Sequence, residues 1–346
     1  MIVVMAKDCP PGDLQGVKNR IESHEGLRAQ IFDGVERIVV GVLGSIPPDL
    51  KDEIELLPSV LEVVPISKPY KLASREFHPD NSKVVVNGVV IGGPEPVIMA
   101  GPCSVEDEEQ MVSTAKSVKA SGAQILRGGA YKPRSSPYSF RGMGIEGLEL
   151  LKTASQETGL PIITEVMAVE DVDTVAKYAD ILQIGARNMQ NYNLLDAVGE
   201  IKKPVMVKRG LAASYEEWLL AAEYVMAGGN EQVMLCERGV RGFEQFTRFT
   251  MDVAAIPVIQ RLSHLPIVAD PSHSTGKWYL VTPGGAGRSR GGCPWAADRS
   301  SPQPGHRQVR RSSVTDLPKL RCADGSGASR CGSAQRADPG LNKPFA

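Results

Sequence analysis

The sequence predicts an α/β protein: a (β/α)8 TIM barrel whose eighth strand is missing, preceded by a small ferredoxin-like α+β domain. Three observations carry this. From residue 96, seven short β-like runs alternate with amphipathic stretches of helical length, the rhythm of a parallel sheet covered by helices. Polar and charged residues gather at the C-terminal ends of those runs, the rim on which a barrel keeps its chemistry. Residues 1–70 run in the order βαββαβ, the split-βαβ pattern.

Taken in order, Ile2–Met5 is a short apolar run and residues 12–24 have helical spacing. Strand-like runs follow at Ala29–Phe32 and Arg37–Leu43, then helical spacing over 48–57 and a last strand at Val60–Ile66. Residues 68–79 are polar and read as a linker. In 84–93, β-branched residues alternate around Asn87-Gly88, a hairpin with a type I′ turn. The barrel runs are 97–103, 124–130, 161–167, 180–186, 204–210, 232–239 and 266–273. A doubly wound open sheet is the other architecture with this rhythm, but its sites gather at one switch point, whereas here every run ends in polar residues. The chain thus divides into a small domain (1–70), a linker with hairpin (71–95), a barrel (96–283) and a tail (284–346).

Composition excludes several classes of function. With 346 residues, 42% hydrophobic, and a net charge of -1, the chain lacks the basic excess of a nucleic-acid binder. No run of about 18 apolar residues is present, so no membrane span is expected. The opening MIVVMAKDCPPGD has no basic segment followed by an apolar one, which argues against a secretory leader. The six cysteines lack regular spacing and read as reduced thiols of a cytoplasmic protein. The tail is different in kind. Of its 63 residues, 33 are Gly, Arg, Ser or Pro and only 6 are Leu, Ile, Val or Phe, too few to build a core, and it carries +7 against -8 for residues 1–283. It is expected to be disordered, and it offers no run for an eighth strand.

The strand ends present Arg127, Lys132, Arg134, Arg187, Lys208, Arg209 and Arg238. A single arginine is ordinarily a solvated surface charge. Repetition at the same place on successive strands instead implies an anionic ligand with more than one phosphate or carboxylate. Cys103 and His273 end the first and seventh runs. Across a barrel mouth they could hold a divalent metal or form a nucleophilic pair. Taken alone, such residues are more often a small buried thiol and a hydrogen-bonded rim imidazole. Glu165 orients a neighbouring cation or makes a structural salt bridge.

The motifs GPCSVE (101–106), LRGGAYKPRSSPYSF (126–140), QIGARNMQN (183–191), VKRG (207–210), LCERG (235–239) and DPSHS (270–274) together resemble the 3-deoxy-D-arabino-heptulosonate 7-phosphate (DAHP) synthases. The resemblance is to the class Iβ type, which carries a ferredoxin-like regulatory domain ahead of the barrel, and it runs from Met1 to about Pro283. It implies a metal-dependent condensation of phosphoenolpyruvate with erythrose 4-phosphate, the first step of the shikimate pathway. By that resemblance Arg127, Arg187, Lys208 and Arg238 hold phosphoenolpyruvate, with Glu165 beside them. Lys132 reaches both substrates as a catalytic residue, and Pro133, Arg134 and Ser135 cradle the aldose phosphate. Cys103 and His273 match two of four ligands of a divalent ion (manganese, iron, cobalt or zinc). An aromatic amino acid inhibitor at residues 1–70 and a homotetramer are further implications. Two other readings stand beside it: the related 3-deoxy-octulosonate 8-phosphate synthase, and a non-catalytic sensor that keeps only the anion pocket.

The family's other two metal ligands sit in EVHP and SDG motifs, and neither motif occurs here. Permitted codons for residues 296–320, read one base late, encode RLIEVHPNPGTGKSDGPQSLTFRN, which restores both motifs in order. A one-base slip near Pro283–Gly284 accounts for the lost strand and ligands, and the chain as printed is expected to fold poorly or be inactive.

Overall fold

A computed structural model of the chain describes residues 1–281 apart from 45, 48, 65–68 and 135. The expectations for residues 284–346 and for Ser135 therefore lie outside the described residues.

The first domain follows the expected order: β1 (Ile2–Ala6), α1 (Pro11–Glu22), β2 (Arg28–Asp33), β3 (Arg37–Leu43), α2 (Leu50–Glu55) and β4 (Val60–Val64). Its antiparallel sheet has the order β2-β3-β1-β4. Alternation along β1 and β3 turns Val3, Met5, Val40 and Val42 to one face, where Val17, Ile21, Leu50 and Ile54 of the two helices cover them. The hairpin forms as β5 (Val84–Val86) and β6 (Val89–Ile91). Asn87 and Gly88 take φ of 47° and 84°, the left-handed pair that a type I′ turn requires.

The barrel domain continues with β7 (Met99–Ala100), α3 (Glu108–Ala120), β8 (Ile125–Arg127), α4 (Ile145–Thr158), β9 (Ile162–Val166) and α5 (Val172–Tyr178). Then come β10 (Ile181–Ile184), α6 (Tyr192–Gly199), β11 (Val205–Lys208), α7 (Tyr215–Ala227), β12 (Val233–Glu237), α8 (Ala255–Leu262), β13 (Ile267–Ala269) and α9 (Pro271–Thr275). The seven strands pair in parallel in strict chain order from β7 to β13. A doubly wound sheet would reverse that order once, so the barrel expectation holds.

One residue pattern sets both the core and the site. Met99, Ile125, Ile163, Ile181, Met206, Met234 and Val268 form an interior cluster with Val84, Val86 and Ile91 of the hairpin, which plugs the N-terminal end of the strands. The intervening residues, such as Leu126, Ile162, Leu182, Val205, Leu235 and Ile267, pack outward against the helices. Two positions after the last interior residue of each strand from β8 to β13, which in β12 is Cys236 rather than Met234, the chain again faces inward, and there the apolar sequence stops.

The two domains are joined through the linker. Glu223 of α7 accepts hydrogen bonds from the backbone N–H of Lys71, Leu72 and Ala73 at 2.8–2.9 Å. Phe77 lies so tightly over Gly41 of β3 that a Cβ there would fall 1.2 Å from its ring. Arg75 donates to the carbonyls of Gln260 and Ser263. His264, buried and stacked on His78, bridges Leu72 O and Ser82 Oγ at 2.7 Å each, contacts met by a neutral ring protonated on Nε2.

Replacing Glu223 by Ala leaves three linker N–H groups without their acceptor, at a cost of about 2–4 kcal/mol. Faster proteolytic cleavage between residues 69 and 83 is the expected outcome, and an unchanged rate would contradict it. Burial lowers the pKa of His264 from 6.5 to about 4, despite the opposing bond to Leu72 O. Because the folded value lies below the unfolded one, its contribution is complete above pH 6.5 and is lost as pH falls towards 4. Stability should drop by roughly 3 kcal/mol over that window, and His264→Gln should flatten this part of the profile in thermal melts.

Candidate active site

The inward positions that follow the interior apolar tier are Arg127, Glu165, Gln183, Lys208, Arg238 and Asp270. The alternation of the strands aims charge at the mouth that the hairpin leaves open. Above them lies a cavity of about 1200 Å³. Of the sequence candidates, Cys103, Arg127, Lys132, Pro133, Arg134, Glu165, Arg187, Lys208, Arg238 and His273 all line it. Residues 131–134 and 136–142 reach it folded back on each other, held by the Tyr131–Gly142 bridge, by Lys132 N–H to Arg141 O at 2.7 Å and by Arg134 Nε to Phe140 O at 2.9 Å.

A chain of contacts runs through the floor of the cavity. Lys208 Nζ lies 2.8 Å from Asp270 Oδ2, with both groups buried. The same carboxylate accepts from the backbone N–H of His273, capping α9, and engages His273 Nδ1. His273 Nε2 in turn faces Cys103 Sγ at 3.9 Å. Lys132 Nζ donates to Cys103 O and lies 3.4 Å from Cys103 Sγ. Burial would raise the pKa of Asp270, but His273 and Lys208 outweigh it and hold the group well below the ordinary carboxylate range. Burial likewise opposes ionisation of Cys103, yet Lys132, the His273 hydrogen bond and Arg127 bring the thiol well below its ordinary value.

One cation of the expected ring is elsewhere. Arg209 follows the inward Lys208 and so points outward, where it bonds Glu237 and Asp252 at 3.0 and 2.8 Å. Asp270 and Gln183 were missed by the sequence reading, although period-two counting from Val268 and Ile181 reaches both. Phe246, Arg248, Phe249 and Lys277 also line the cavity and carried no motif or strand-end signal.

The donors fit a divalent ion in part. Cys103 offers a thiol held towards the thiolate, and the Asp270 bond to His273 Nδ1 leaves Nε2 turned to the sulfur, the outer-shell arrangement typical of a ligating imidazole. Among the described residues no group of three or more His, Cys, Asp or Glu residues is placed to hold a metal ion, so the described set stops at these two donors. Among them also, no helix is long and apolar enough to cross a membrane.

The family model described as the DAHP synthetase I family matches residues 73–281, and that of the DAHP synthase ferredoxin-like domain matches residues 1–68. The chain is 47% identical over 283 residues to phospho-2-dehydro-3-deoxyheptonate aldolase of Thermotoga maritima, covering 82% of this chain and 83% of that protein. A 2-dehydro-3-deoxyphosphooctonate aldolase of Acidithiobacillus ferrooxidans is 35% identical over 202 residues, covering 56% of this chain and 69% of the relative. The crystal structure of the Thermotoga maritima phospho-2-dehydro-3-deoxyheptonate aldolase (DAHP synthase) superposes with a TM-score of 0.71 at 43% identity, covering 92% of this chain and 94% of that one. Matched in both its domains, the chain belongs to the DAHP synthetase I family and carries that family's ferredoxin-like domain ahead of its barrel.

Proposed function

We infer that the chain's reaction is the condensation of phosphoenolpyruvate with erythrose 4-phosphate to DAHP and inorganic phosphate. The observation that carries this reading is the convergence of Arg127, Lys132, Arg134, Arg187, Lys208 and Arg238 on one cavity. Two like unit charges 4 Å apart repel by about 4 kcal/mol near a protein surface, and two phosphates side by side repel by more. Only a cavity with several cations brings such substrates together. In this reading Arg127, Arg187, Lys208 and Arg238 take the phosphate and carboxylate of phosphoenolpyruvate, with Glu165 beside them. Pro133, Arg134 and Ser135 take the aldose phosphate. Lys132, between the two groups, steadies the charge that develops as the enol carbon bonds to the aldehyde carbon. The former aldehyde oxygen takes up a proton, water adds to the former enol-phosphate carbon, and that carbon's C–O bond to phosphate breaks to release inorganic phosphate. A divalent ion bound through Cys103 and His273 would supply Lewis-acid polarisation of the aldehyde oxygen. Asp270 keeps His273 turned for that role, and Lys208 keeps Asp270 ionised.

The octulosonate reading is weaker, because the heptonate aldolase likeness extends over 283 residues at 47% identity, against 202 at 35%. Residues 1–70 serve as a regulatory unit for an aromatic amino acid, and the assembly is a homotetramer; both parts rest on the family alone.

Phosphorus NMR should show inorganic phosphate released from phosphoenolpyruvate only when erythrose 4-phosphate is also present. This applies to a chain whose residues from 284 onward are re-read one base late. Lys132→Met should lower its turnover about 10²–10³-fold; release without the aldose, or an unaffected variant, would refute the assignment. The chain with residues 284–346 as printed should turn over at least about tenfold more slowly, because it lacks the EVHP and SDG motifs that carry the family's other two metal ligands. Equal rates for the two chains would contradict the frame slip, as would a gene sequence that leaves the frame undisturbed.

A further inference from the structure

We propose that Arg209 is a positioning residue for phosphoenolpyruvate: by clamping Glu237 and Asp252 together it fixes the loop that supports the Arg238 guanidinium at the cavity. The proposal deepens the assignment above and rests on it for the identity of the ligand.

The loop leaves β12 at Glu237 and returns at Asp252, the residue whose carboxylate accepts from Ala255 N–H at the start of α8. Both carboxylates meet one nitrogen, Arg209 Nη1, at 3.0 and 2.8 Å. The guanidinium is also held by Nε to Ala213 O at 3.0 Å and lies 4.6 Å over the Tyr215 ring. The Tyr215 hydroxyl donates to Asp252 at 2.7 Å. Between the clamped ends, Val240 and Thr250 exchange backbone hydrogen bonds at 2.8 and 2.9 Å. Phe249 is thereby set 4.3 Å beneath the Arg238 guanidinium, on the cavity side. Two contacts leave little slack. Phe249 N–H bonds Ser274 O at 2.7 Å, and at Gly239 (φ +91°) an added Cβ would lie 2.7 Å from Ser274 and 2.8 Å from Phe249.

The clamp has an electrostatic logic. Glu237 is fully buried, and burial raises its pKa against the pull of Arg209 and of Gly239 N–H. Without Arg209 two carboxylates would be left facing each other beside a site meant for anions. The neighbouring residues 208 and 209 thus divide the work: Lys208 faces the ligand, while Arg209 holds the frame behind Arg238.

The test is a titration of the full chain with phosphoenolpyruvate, followed through tryptophan fluorescence, Trp218 lying 5.9 Å from the Arg209 guanidinium. Asp252→Asn and Arg209→Lys should weaken the dissociation constant about tenfold, since small misplacements of a binding group cost that much or more. Tyr215→Phe, which keeps both ion pairs, should weaken it less. A merely structural role would reduce the fraction of protein that binds and leave the constant of the rest unchanged, and the titration reads both. In the double variant Asp252→Asn/Phe249→Leu the two effects should be non-additive, because both act through Arg238. Unchanged constants in the single variants, or strict additivity in the double, overturn the positioning role alone. Absence of binding by the unaltered chain, with its fold verified by near-ultraviolet circular dichroism, and by the chain re-read from residue 284 overturns the substrate assignment as well.

Discussion

The site depends on Asp270. A mouth lined by this many cations repels itself, and the barrel offers few anions against it. Asp270 supplies one while almost fully buried, where it pairs Lys208 at 2.8 Å, caps α9 and fixes His273. Removing one partner of such a buried pair costs about 3–5 kcal/mol, mostly because the other charge is left stranded. The same contact therefore keeps β11 and β13 in place across β12 and aims an imidazole at Cys103.

The remaining architecture serves that arrangement. The hairpin fills one end of the barrel with Val84, Val86 and Ile91, so the charged tier sits over an apolar layer, where its interactions are screened less than in water. The linker that follows the ferredoxin-like domain is tied to the barrel by backbone and side-chain contacts around Glu223, Arg75 and His264. Two of those ties fall on α8 and the turn into β13, the strand that leads into Asp270. Domain docking and site geometry thus share a structural element.

Much of this was legible in the sequence. The seven runs each contain one strand, because apolar β-branched residues bounded by polar ends specify a buried parallel strand with little help from context. Asn87-Gly88 fixed its turn by local conformational preference alone. The cations at strand ends were found because charge stands out against apolar runs. Arg209 was misplaced by the same habit: adjacency to Lys208 suggested a shared direction, whereas successive strand residues face opposite ways. Asp270 was passed over within the DPSHS motif, where only His273 was singled out. Phe249 and Arg248 reach the cavity through loop closure by Arg209 and Asp252, a tertiary contact that no local pattern announces.

The most direct test of Asp270 as organiser measures two properties of one variant. In Asp270→Asn, phosphoenolpyruvate affinity and uptake of Co²⁺, followed by its thiolate absorption, should fall together, since Lys208 and His273 lose the same partner. A variant that loses one property and keeps the other would show that the anion pocket and the Cys103–His273 pair are organised independently.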